Sequence, residues 1–176
     1  MVVVSKELLD YFKKSGARSV LDTIKSDLFS DRPAFLELKD KKDLVGVELG
    51  VQYGVNAANI LQYLNIKKLY LVDIHDTAER REILKDFEHK IVYIIKSSTD
   101  AVTEIPDDLD FVYIDADHTE KAVYEDIENY FPKVREGGLV AGHDYNRSGT
   151  RAPINKFFDN NKRRVSTLKR DWWVIK

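Results

Sequence analysis

The chain changes its hydrophobic rhythm at residue 44. Before it, apolar positions recur at helical spacing. "SKELLDYFKK" starts at Ser5, a side chain suited to capping a helix, and stops near Gly16. "SVLDTIKSDLF" places Val20, Leu21, Ile24 and Leu28 on one face. "DRPAFLELKDKKD" then reads as a connector holding at most a short helical turn. After residue 44, "LVGVEL", "KLYLVDI", "KIVYIIK", "LDFVYID" and "GGLVAGHD" have the length and composition of buried strands. Between them, "NAANILQYL", "TAERREILKDF" and "TEKAVYEDIENYF" carry helical periodicity. Such alternation predicts a parallel sheet covered on both faces. The tail differs, because "RRVSTLKR" and "DWWVIK" follow one another without a helix and predict a closing antiparallel hairpin. The expected fold is therefore α/β and Rossmann-like, with helices on both faces, a C-terminal hairpin and an N-terminal helical cap. No repeat or Ser/Gly linker divides the 176 residues. One domain is expected, residues 1–43 forming a helical extension and 44–176 the core.

Composition narrows the chemistry. There is no cysteine, which removes disulfides, thiolate metal sites and cysteine catalysis. The valines of "MVVVSKELLDYF" are too short a run for a signal-peptide core, and no later run approaches spanning length. A soluble, cytoplasmic protein with no membrane partner is expected. Net charge is −2, but residues 147–176 carry +7 and the remainder −9. A basic end draws in an anionic substrate or nucleic acid, or is simply a solvated surface.

Parallel sheets bind ligands beyond the carboxyl ends of their strands at the switch point of strand order. That rule selects Glu48–Gly54, Asp73, Ser97–Thr99, Asp115–His118 and His143–Tyr145. In "VELGVQYGVNA", Gly50 and Gly54 permit a tight turn and close approach of a ligand, and Glu48 is an acceptor for an ammonium or hydroxyl. Gln52 occupies the place of the second glycine of a dinucleotide fingerprint. Asp73 ends the second strand, positioned to accept both hydroxyls of a ribose, or to cap the next helix. Ser98 or Thr99 faces an adenine edge, or caps a short helix. Asp117 with Glu120 has the spacing of a helix-start box ahead of a stripe of Ala122, Val123, Ile127 and Phe131. His118 is left as a cofactor contact or an acid/base group. "VREGGLV" supplies a Gly137–Gly138 turn into the fifth strand. Tyr145, Arg147 and Arg151 are substrate-side contacts on a polar loop, with Gly149 as a hinge.

Together "VELGVQYG", "LYLVDIHD" and "DFVYIDADHTEKAVYEDIENYFPKVREGGLVAGHDY" resemble class I S-adenosylmethionine-dependent methyltransferases over about residues 44–146. The last segment is most similar to the small-molecule O-methyltransferase branch, which includes macrolide-sugar and aminocoumarin-sugar enzymes. The resemblance implies a seven-stranded sheet whose last strand is antiparallel. It places Glu48 and Gly50 beside the methionine part of the cofactor and Asp73 at the ribose, with Gly54, Ile74 and Asp115 as further cofactor contacts. Ser98 falls near the adenine, and Asp115 near the methyl-transfer centre. Several members of that branch bind a divalent cation, and the matching positions are Asp115, His143 and Asp144. The histidine favours Mn²⁺ over Mg²⁺. Asp115, His118 and His143 are the candidate catalytic groups.

The function expected is methyl transfer from S-adenosylmethionine to an oxygen of a small polar substrate, metal-assisted or not. Three rivals stand beside it. One is an RNA or DNA methyltransferase using the basic tail, although the tail's basic residues alternate with core positions. Another is a nucleotide-sugar or NAD-dependent Rossmann enzyme, which the missing glycine disfavours. The third is a non-catalytic binding module. The N-terminal helical pair serves either as a cap over the site or as a homodimer face.

Overall fold

The structure, a computed structural model, describes residues 4–176. Met1, Val2 and Val3 of the opening valine run lie outside the described residues. Seven strands form one sheet: β1 (Leu44–Leu49), β2 (Ile66–Asp73), β3 (Ile91–Ile95), β4 (Leu109–Ile114), β5 (Val134–Gly142), β6 (Ser166–Leu168) and β7 (Asp171–Ile175). Their order is β3-β2-β1-β4-β5-β7-β6. The first five are parallel, and β7 runs antiparallel to both β5 and β6. The order reverses between β1 and β4, which opens a crevice above their carboxyl ends.

Alternation along β4 shows why these sequences become two-sided strands. Phe111 and Tyr113 enter one apolar layer, while Val112 and Ile114 enter the other. The first layer is completed by α1 (Lys6–Ser15), α2 (Arg18–Lys25), α3 (Leu28–Asp31), α4 (Val55–Tyr63) and α5 (Ala78–Leu84). The second is completed by α6 (Ser98–Ala101), α7 (Glu120–Tyr130) and α8 (Ser148–Asn160).

The N-terminal extension is part of the first layer. Ser5 caps α1 by accepting the Leu8 N–H, and Gly16 ends it in the left-handed conformation. The predicted second helix breaks at Ser26, and Asp27 starts the separate α3. Val20, Ile24 and Leu28 are buried, whereas Leu21 is half-buried. The connector is a 3₁₀ turn, Pro33–Leu38, and it is core rather than linker. Phe35 stacks on Tyr113 with ring centroids 4.9 Å apart.

Four local expectations are corrected. Helix α7 is capped by Thr119, which accepts the Ala122 N–H, while Asp117 accepts the Thr119 N–H and shapes the turn before it. The buried face of α7 is Val123, Asp126, Ile127 and Tyr130, with Ala122 and Phe131 only half-buried. Gly137 and Gly138 do not precede the fifth strand but form an irregularity inside it, where pairing jumps from Val134 to Leu139. The polar loop expected around Gly149 is the first turn of α8. A Cβ on Gly149 would meet the His118 carbonyl oxygen at 2.6 Å, so this glycine is a packing contact, not a hinge.

Candidate active site

A cleft of about 1130 Å³ opens above the carboxyl ends of the parallel strands. It is lined by Glu48, Gly50, Asp73, Ile74, Ser98, Asp115, His118, His143, Asp144 and Arg147 among the expected residues. Gly54, Tyr145 and Arg151 are not on its wall. Gly54 is wedged against Arg80 and Leu84 of α5, and the Tyr145 hydroxyl donates to Asn155 Oδ1 at 2.7 Å.

One half is organised by Asp73. Its Oδ2 accepts the backbone N–H groups of Val51 and Gln52, both at 2.8 Å, and its Oδ1 accepts that of His75 at 2.9 Å. Partial burial pushes this carboxyl up, but the N–H groups of His75, Gln52 and Val51 outweigh it and hold it below the usual range. The acid therefore fastens the β1–α4 loop to the end of β2. Gln52 is left-handed at φ 51°, the backbone shape glycine adopts most easily. Ile74 projects, 64% exposed, along the same wall. Ser97, not Ser98, caps α6. The Ser98 carbonyl accepts the Tyr130 hydroxyl at 2.7 Å.

Glu48 lies between the two halves, 1% exposed. Its Oε1 accepts from Asn56 Nδ2 at 2.8 Å, and its Oε2 is buried without a hydrogen-bond partner. Burial pushes its pKa up to about 8, against the Asn56 hydrogen bond. A positively charged group arriving here would both supply the missing donor and restore the carboxylate.

The other half collects the titratable groups of "YIDADHTE" and "GHDY". One ligand atom each from Asp115, His118 and Asp144 lies within 4.8 Å of the others. His118 Nε2 is 2.9 Å from Asp144 Oδ2 and 3.4 Å from Asp115 Oδ1, yet a ring N–H aligns with neither. Asp144 Oδ1 is likewise buried without a hydrogen bond, although His143 Nδ1 stands 3.3 Å away. Their mutual distances are short enough for a single ion to be held among Asp115, His118 and Asp144. Asp144 holds its position in the left-handed region at φ 58°, a conformation costing about 1 kcal/mol or more for a side-chain residue. The closest trio contains His118 where the sequence reading placed His143. His143 Nδ1 is 3.9 Å from Asp115 Oδ2, on the buried side of the cluster. Burial, with Arg32 nearby, lowers the His143 pKa to about 4, so its imidazole is neutral. His118 is raised instead, first by its contact with Asp115 and further by Asp144.

Residues that the sequence pattern did not single out complete the walls. Asn56 fixes Glu48, and Asp22, Thr23, Asp31 and Arg32 bring the N-terminal extension over the cleft. For Arg32 the available signal was a charged residue immediately before the buried "PAFLEL" turn.

A 3-2-1-4-5-7-6 sheet with a glycine-bearing loop after β1 and an acid ending β2 defines the class I methyltransferase fold. A family model described as "Methyltransferase domain" matches residues 47–145, more than half of the chain, and the chain belongs to that family. The chain is 29% identical over 118 residues to uncharacterized protein R132 of Acanthamoeba polyphaga mimivirus, covering 60% of this chain and 53% of that protein. In structure it is similar to the MycE methyltransferase of the mycinamycin biosynthetic pathway, in complex with Mg, SAH and mycinamycin VI. That match has 17% identity and a TM-score of 0.64, covering 82% of this chain and 47% of MycE. It is also similar to CalS11, TDP-rhamnose 3'-O-methyltransferase of calicheamicin biosynthesis, with 12% identity and a TM-score of 0.62 over 84% and 77% of the two chains. The chain thus spans about half the length of R132 and of MycE.

Proposed function

We infer that the protein transfers the methyl group of S-adenosylmethionine to a hydroxyl oxygen of a small polar acceptor. The observation that carries this reading is the convergence of Asp115, His118 and Asp144 beside the loop fastened by Asp73. MycE, crystallised with Mg and SAH, and the sugar methyltransferase CalS11 support it by likeness of fold.

Asp73 receives the ribose through the remaining acceptor capacity of Oδ1, Ile74 covers the adenine, and Glu48 accepts the ammonium of the methionine part. The acceptor oxygen attacks the methyl carbon, the carbon–sulfur bond breaks, and S-adenosylhomocysteine leaves. The protein's task is to align these atoms and exclude water. A hydroxyl is a weak nucleophile while protonated, so His118 Nε2 takes its proton, with Asp115 and Asp144 stabilising the imidazolium. His143, held neutral, fills the buried side of the same cluster. The donor set of two carboxylates and one imidazole also fits a divalent cation, Mn²⁺ in preference to Mg²⁺. Such an ion, held by Asp115, His118 and Asp144, would lower the pKa of the acceptor hydroxyl directly.

The basic tail gives the nucleic-acid reading little support. Arg163 Nη1 donates to the Ile175 carbonyl, and Lys176 Nζ donates to those of Pro132 and Val134. Calorimetric titration with S-adenosylmethionine and with NAD, repeated with chelator and with added Mn²⁺ or Mg²⁺, tests the reading. Binding of S-adenosylmethionine alone supports it, and binding of NAD alone overturns it.

A further inference from the structure

The cleft has two chemically different ends. Along the Asp73 wall the basic side chain is Lys96, which is paired with Glu104. Three arginines line the rest of the cleft, two of them beside Asp144. Arg147 Nε lies 3.1 Å from Asp144 Oδ2, and Arg170 Nη1 lies 3.5 Å from Asp144 Oδ1; both side chains are more than half exposed at the rim.

Arg32 is of another kind, being only 8% exposed. Its Nη1 lies 2.8 Å from Asp31 Oδ2 and donates to the Asp31 carbonyl at 3.2 Å. Its Nε is buried without any hydrogen-bond partner. The buried carboxylate nearby does not use it: Asp171 Oδ1 accepts the Tyr113 hydroxyl at 2.8 Å, and Oδ2 accepts the Ala34 N–H at 3.4 Å. The guanidinium nevertheless lines the cleft, and its field reaches Asp115 and His143. A desolvated guanidinium with an unused donor is unfavourable unless a ligand completes it. Its planar fork of N–H donors matches the paired oxygens of a carboxylate or phosphate.

We propose that the methyl acceptor carries an anionic group, a phosphate or a carboxylate, received by Arg32 buried in the wall of the cleft with Arg147 and Arg170 at its rim. The acceptor is then an acidic small molecule, a phosphorylated alcohol or sugar or a hydroxy acid, whose anion positions its hydroxyl beside His118. This rests on the reading of that end of the cleft as the acceptor side.

The test titrates inorganic phosphate and, separately, glycolate into the protein saturated with S-adenosylhomocysteine. Isothermal calorimetry is run on the unaltered protein, Arg32→Gln and Arg32→Lys, with melting temperatures recorded for each. The expected result is saturable binding of at least one anion, weakened about tenfold or more in Arg32→Gln and less in Arg32→Lys. Phosphate alone binding marks a phosphorylated acceptor, and glycolate alone a carboxylate. Equal anion binding by the unaltered protein and Arg32→Gln overturns the proposal, as does binding of neither anion. A lowered melting temperature with unchanged anion binding would make Arg32 purely structural and also overturns it. S-adenosylhomocysteine affinity is measured in the same series, and its absence in the unaltered protein would sink the cofactor reading instead.

Discussion

Gly50 and Asp115 are interlocked: a Cβ on Gly50 would lie 2.2 Å from the Asp115 carbonyl oxygen. The loop after β1 and the end of β4 therefore share one tight contact, and Gly50 is also left-handed at φ 81°. Gly50→Ala combines a backbone clash with an unfavourable φ, and it is expected to destabilise the fold by about 2–4 kcal/mol. Thermal or urea unfolding checks the loss. A variant as stable as the parent would show that the two loops are not in contact.

Asp73 fastens the other side of the same loop. Asp73→Ala leaves the N–H groups of Val51, Gln52 and His75 unpaired and removes the proposed ribose acceptor. S-adenosylhomocysteine affinity should fall about 10–100-fold by calorimetry, the range for charge-assisted hydrogen bonds. Unchanged affinity would remove Asp73 from the cofactor site.

His118→Ala and Asp115→Asn test the proposed proton removal. Each is expected to lower kcat about 10²–10⁴-fold while S-adenosylhomocysteine affinity stays within about threefold. Turnover assays with an identified acceptor, alongside calorimetry, separate the two effects. Full activity in His118→Ala with added Mn²⁺ would rule out that imidazole as either base or necessary ligand.

Asp126 gives a pH-dependence outside this chemistry. Buried on α7, it is pushed from its ordinary 3.8 to about 6 by desolvation, with Ser98 hydrogen bonding in opposition, and its Oδ2 lacks a partner. The fold binds this proton more tightly than the unfolded chain does. Its effect on stability is therefore nil below about pH 4, becomes unfavourable as pH rises towards 6, and levels off above that. Asp126→Asn should raise stability at pH 8 by roughly 2 kcal/mol relative to its effect at pH 4. Urea midpoints at both pH values test it, and a pH-independent difference contradicts it.

Replacing Gln52 by glycine relieves its left-handed backbone. The exchange is expected to leave stability unchanged or to raise it by up to about 1 kcal/mol. A fall of that size would show that the Gln52 side chain has a role of its own.

Where apolar patterning and chain spacing carry information, the sequence was legible. The two-sided strands and the closing hairpin follow from it, as does the placing of Glu48, Asp73, Asp115 and Asp144 at strand ends. Helix α8 was hidden because Gly149 and Pro153 discourage helix locally. Burial of Ile154, Phe157 and Phe158 overrides that preference. Thr119 displaced Asp117 as the cap through a one-turn geometry that two competing acceptors left ambiguous. Whether His118 or His143 joins the carboxylates depends on side-chain direction, which spacing does not encode. Arg32 escaped notice because, beyond its neighbour Asp31, the groups that surround it, Tyr113, Asp115 and Asp171, lie far away in the chain.

The Tyr113–Asp171–Ala34 bonds join the middle of the chain, its last strand and its N-terminal extension around Arg32. During synthesis the sites of Glu48 and Asp73 emerge long before Asp171 does. A nascent chain can therefore gather the half proposed to hold the cofactor first, and the wall that positions Arg32 is completed only when β7 leaves the ribosome.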